Sequence, residues 1–174
     1  MTDVFQAPDD PKALKAETVA LHAMELVDEG LLVDFNKVVQ ESLDHVRAHL
    51  NQLNAIIRCD KLPHVQARAK DMRQLSDHLV RLILLHPPQK SKLFIYLKCN
   101  RFDSEAVPVK SSAWLHSYEI SFHTNSCNEA SWQSEHQQEI AECAAICAQY
   151  SGSFTAAYGH ADSLFKLTLP GKLF

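Results

Sequence analysis

The chain has 174 residues, 46% hydrophobic and 22% charged, the proportions of a soluble globular domain long enough to bury one core. Its 17 basic and 21 acidic side chains leave a net charge of −4, which argues against a nucleic-acid footprint, and no segment reaches the roughly 18 apolar residues of a membrane helix. The opening MTDVFQAPDDPK has neither a basic leader nor an apolar stretch, so no export signal is expected. Five cysteines without framework spacing suit a reducing cytoplasm.

The first periodic segment runs from Asp10, an N-cap signal with Pro11 in the first turn, to Gly30, a C-cap signal. Its apolar face, with Ala16, Val19, Ala23 and Leu26, is narrow and small-sided. It suits packing against another helix better than a deep core position. Residues 1–30 are therefore expected to form a helical extension, and 31–174 the domain proper. A second helix is expected over 34–51, with Phe35, Val38, Val39, Leu43, Val46 and Leu50 recurring at three- and four-residue steps. NAIIRCD and HVQAR read as short strands around the turn DKLP. A third helix, 70–85, carries Met72, Leu75, Leu79 and Ile83 and stops before Pro87 and Pro88.

KLFIYLKC (92–99) alternates as a strand, with Leu93, Ile95 and Leu97 on one side. AWLHSYEISFH (113–123) is a second strand, beyond a linker long for a hairpin. A fourth helix, 134–150, places Ile140, Ala144 and Cys147 on one side. SFTAAY and LFKLTL close the chain as a hairpin turned at Gly159. This order best fits helices covering one face of a largely antiparallel sheet.

Several of these segments carry a resemblance. VDFNKVVQESLDHVRAHLNQLNAIIRCDKLPHVQARAKDMRQLSDHLVRLILLHPP resembles the opening half of the ATP-binding domain of bacterial sensor histidine kinases, of the GHKL superfamily. YEISFHTNS resembles the strand that leads to that family's first glycine box. ICAQYSGSFTAAYGHADSLFKLTLP resembles its closing helix, Gly-Gly turn and final strand. The resemblance spans about 33–170 and implies an α+β fold, a two-layer α/β sandwich with helices on one face of a mixed sheet.

The resemblance also shows what is missing. The family holds magnesium-ATP through asparagine on the third helix, a position served by hard oxygen ligands. Here the two matching positions are His78 and Leu82. The adenine-reading carboxylate falls on Thr124, followed by Asn125 and Ser126 where a variable residue and a glycine belong. No glycine lies between residues 31 and 151. Backbone cradles for phosphate depend on such residues. These five positions are read as vestiges of a nucleotide site. No catalytic residue, cofactor or metal is expected.

His45 and His49 are spaced to share a helix face, as are Cys143 and Cys147, but neither pair has a third ligand near it in sequence. The cysteines read as small core hydrophobes. DHVRAHL, around His45, is only faintly similar to a phosphoacceptor box, and His22 has no such box around it. The expectation is a non-catalytic domain of two-component-type signalling. It would dock to a protein partner, a response regulator or sensor kinase, or form a homodimer, with residues 1–30 as the docking element. The alternatives are a histidine phosphotransferase of a phosphorelay and an atypical ATP-binding kinase domain.

Overall fold

The computed structural model describes residues 32–89, 91–102, 116–126, 136–159 and 162–174. The expected helix within 1–30 and most of the linker after the first long strand lie outside these residues. Strand β1 (Leu32–Asp34) is three residues long, too short to show alternation, and so is invisible in the sequence. Asp34 ends it and caps α1 (Phe35–His45), its Oδ1 accepting the backbone N–H groups of Asn36 at 3.0 Å and Lys37 at 3.4 Å. Burial pushes this carboxyl upward, but the Asn36 amide and the capped N–H groups hold it below the usual range.

The helix expected over 34–51 is broken. Val46 leaves helical geometry (φ −106°, ψ 11°), and α2 (Arg47–Gln52) follows as a separate short helix. Leu50 is buried like the residues of α1, which is why the apolar spacing reads as one continuous helix.

The remaining elements are β2 (Ile56–Cys59), β3 (His64–Gln66), α3 (Ala69–Leu84), β4 (Phe94–Phe102), β5 (His116–Thr124), α4 (Gln137–Gln149), β6 (Ser153–Tyr158) and β7 (Ser163–Lys172). They form one seven-stranded sheet in the order β1-β3-β7-β5-β4-β2, with β6 also paired to β7. The β2–β4 pair is parallel and all other pairs are antiparallel. β2 and β3, neighbours in sequence, are thus separated by β7, β5 and β4.

Alternation decides which face is dry. Leu93, Ile95 and Leu97 before and within β4, Ile120 and Phe122 in β5, and Phe165, Leu167 and Leu169 in β7 are buried. They join Phe35 and Val39 of α1, Met72, Leu75, Leu79 and Ile83 of α3, and Cys143 and Cys147 of α4 in one core. The result is a two-layer α+β sandwich with helices on one face of a mixed sheet. On the other face Phe94 and Tyr96 stay 48% and 40% exposed.

At the end of α4, Ser151 takes the left-handed conformation (φ 55°) that glycine usually supplies. Gly152 is needed for a different reason: a Cβ there would sit 2.0 Å from the Thr168 carbonyl oxygen.

One side chain fixes the route between β2 and β3. The Asn36 amide donates to the Leu62 carbonyl and accepts from the Leu62 N–H, both at 2.8 Å. Leu62 is 1% exposed, so water cannot easily replace these bonds. Asn36→Ala is expected to cost about 2–3 kcal/mol, from three lost bonds, two to Leu62 and one to Asp34, and two orphaned backbone groups. Urea unfolding with an unchanged slope would measure it.

Candidate functional site

The five positions that the resemblance singles out fall on α3 and at the end of β5. On α3, residues 71, 75, 78 and 82 follow one stripe, and three polar ties hold this helix in its layer. The Tyr150 hydroxyl, just past the end of α4, donates to the Asp71 carboxylate, which also binds Arg68 at 2.8 Å. The Tyr150 hydrogen bond, then Arg68, hold the Asp71 carboxyl below its usual range against a smaller upward push from burial. Midway along, His78 Nε2 lies 3.0 Å from Glu142 Oε2 of α4. On the other flank, the Ser42 hydroxyl of α1 donates to Asp77 at 2.6 Å.

His78 is therefore committed to α4. Its side chain is 14% exposed, and its buried Nδ1 has no hydrogen-bond partner among the described residues. Leu82, one turn on, is 1% exposed and belongs to the core. Leu85, at the C-cap of α3, does not join it there and lies 38% exposed. It lines a groove of about 360 Å³ with Ser42, His45, Asp77 and Arg81.

The end of β5 is equally occupied. Thr124 is 3% exposed, paired with Ile95 and Ser163, and its hydroxyl accepts the Ser126 N–H at 3.2 Å. Asn125 takes the Phe94 N–H on its Oδ1 at 2.7 Å and donates from Nδ2 to the Lys92 carbonyl at 2.9 Å. The Ser126 carbonyl accepts the Ser163 hydroxyl at 3.2 Å. The Asn125 side chain thus binds the start of β4, the Thr124 hydroxyl binds its own turn, and the Ser163 hydroxyl at the start of β7 occupies the Ser126 carbonyl.

The other candidates separate as well. The break at Val46 puts His45 on α1 and His49 on α2, so they share no continuous helix face. No metal-holding cluster of three His, Cys, Asp or Glu residues occurs among the described residues. Cys143 and Cys147 are fully buried, and burial pushes both thiols up to about 12, which suppresses the thiolate that nucleophilic chemistry needs. His22 lies outside the described residues. The Asp71–Tyr150 and Ser42–Asp77 ties join residues far apart in sequence, and no local pattern marks them. No helix among the described residues is long and apolar enough to cross a membrane.

Among solved structures, the chain is similar to the Acinetobacter baumannii histidine kinase AdeS, at 16% identity and a TM-score of 0.57, over 97% of this chain and 88% of that one. The fold is the histidine kinase ATPase fold. The mycobacterial sensor histidine kinase MprB shares it at 11% identity and a TM-score of 0.62, over 82% of this chain and 99% of that one. Full-length ShkA, solved in complex with AMPPNP, does so at 10% identity and 0.60, over 82% of this chain and 31% of its own. Searched against protein-family models and curated proteins, the sequence matches none. Identities this low establish a shared histidine kinase ATPase fold and leave the chemistry to the residues.

At Leu82 the α3 helix gives the core only apolar surface. Leu82→Asn is expected to destabilise the protein by about 2–4 kcal/mol, through lost burial and an amide with no partner. It should confer no ATP affinity. Chemical denaturation and isothermal titration with magnesium-ATP measure the two outcomes.

Proposed function

We propose that this chain is a non-catalytic histidine kinase-like ATPase-fold domain that acts in two-component-type signalling by protein–protein interaction in the cytoplasm. The observation that carries the reading is Leu82, 1% exposed within the core at the position where the resemblance implies a magnesium-holding asparagine. An apolar side chain supplies no oxygen to a hard cation. The internal bonds of Thr124 and Asn125 support the same reading. So does the lack of any glycine between 31 and 151.

Magnesium-ATP at about millimolar concentration is expected to leave the melting temperature unchanged. A ligand that binds only the folded state adds RT ln(1 + [L]/Kd), so a Kd of one-tenth of [L] would add about 1.4 kcal/mol. For a domain of this size that is a rise of roughly 3–6 °C. A reproducible magnesium-dependent rise overturns the non-catalytic reading.

The partner in this reading is a protein, a response regulator or a sensor kinase, and the docking element is the segment 1–30. Ala16, Val19, Ala23 and Leu26 recur at helical spacing with small side chains that allow close helix packing. Deleting residues 1–30 should leave a folded remainder by circular dichroism and abolish partner capture. Loss of the fold on deletion would assign the segment to the core and remove it as the docking element.

A further inference from the structure

Among the described residues, the outermost strand on one side of the sheet is β2, and its edge has the features of a self-complementary seam. Ile56 donates its N–H to the Leu93 carbonyl at 2.8 Å, and Asp60 donates to Leu97 at 2.9 Å. In a parallel ladder, residues of that parity spend both backbone groups on the same neighbour. Ile57 and Cys59 therefore direct their N–H and C=O groups away from β4. Among the described residues no strand pairs with that side.

Sheet edges of this kind are commonly blunted by proline, a bulge or lysine. β2 reads Ile-Ile-Arg-Cys, with Ile56 and Ile57 each 37% exposed. Beside it on the uncovered face, an open cavity of about 560 Å³ is lined by Ile56, Arg58, Asp60, Phe94 and Tyr96. The Asp60 carboxylate lies toward this face, 3.5 Å from the Tyr96 hydroxyl.

We infer that two copies of this chain join antiparallel through β2, about a two-fold axis at Cys59. Isologous association requires each copy to present the same patch, and charge selects the register. An axis at Arg58 sets two guanidinium groups directly opposite, which is unfavourable. An axis at Ile57 leaves Arg58 across from Ile56, with no counter-charge. With the axis at Cys59, Arg58 of each copy faces Asp60 of the other, and the symmetry makes the pair twice. The guanidinium then enters the cavity that Asp60 helps to line. The seam is short, so the dimer is weak and concentration-dependent.

The same register provides its own probe. Residues directly opposite in a hydrogen-bonded antiparallel pair have Cα atoms about 5.5 Å apart, within the roughly 4.4–6.8 Å that a disulfide spans. Cys59 is an exposed free thiol. The full-length chain is oxidised at high concentration with copper(II)–phenanthroline, which takes the two electrons while two protons leave the paired thiols. The expected product is a covalent dimer on a non-reducing gel, reversed by dithiothreitol and absent in Cys59→Ser. Sedimentation of the unoxidised protein should show dimer growing with concentration, and Arg58→Asp, checked for folding by circular dichroism, should weaken it at least roughly tenfold. A monomer at every concentration overturns the inference. So does a dimer that neither cross-links through Cys59 nor responds to Arg58→Asp, since that would place association elsewhere, including residues 1–30.

Discussion

The sheet depends on β7. This ten-residue strand hydrogen-bonds β5 along one side and both β6 and β3 along the other. Its inward side chains, Phe165, Leu167 and Leu169, lie at the centre of the core. Backbone contact must be close where β3 joins, because a Cβ on Gly171 would sit 2.5 Å from the His64 carbonyl oxygen. The helix layer rests on the face that β7 and its neighbours present, and that layer is cross-tied. Glu142 reaches His78, Tyr150 reaches Asp71, and Ser42 reaches Asp77.

Those ties show how the polar groups along α3 are employed within the protein itself. Buried polar groups need partners, and a ligand site keeps some of its partners waiting for the ligand. Here the polar atoms of Asn125, the Thr124 hydroxyl and His78 Nε2 meet protein groups instead. Leu82 contributes only apolar surface. On these contacts α3 works as an ordinary packing element of the core.

Much of the fold was legible because long amphipathic stretches leave a clear period. α3, β4, β5, α4 and the β6–β7 hairpin lie close to their expected ranges, and Leu93, Ile95 and Leu97 face inward as alternation implied. Short or continuous features were not legible. β1 has three residues, and the break at Val46 sits inside an apolar stripe that runs on to Leu50. The five positions read as nucleotide-site vestiges could be named from motif spacing, but their present neighbours could not. Asp71 and Tyr150 are 79 residues apart, and a hydrogen bond over that interval leaves no trace in local sequence.

The order of the strands also bears on how the chain assembles during synthesis. β3, formed by residues near 65, pairs with residues 171 and 172 of β7, and β5 finds its second neighbour only in that same strand. A chain emerging from the ribosome therefore exposes β4 and β5 with the inward faces of Ile95, Leu97, Ile120 and Phe122 before the strand that completes their sheet exists. Closure awaits β7, and it encloses a loop of more than 100 residues when it comes. Non-local pairing of this kind slows folding and lengthens the time for which strand edges stand open. The period of greatest vulnerability to aggregation thus lasts until β7 has been made.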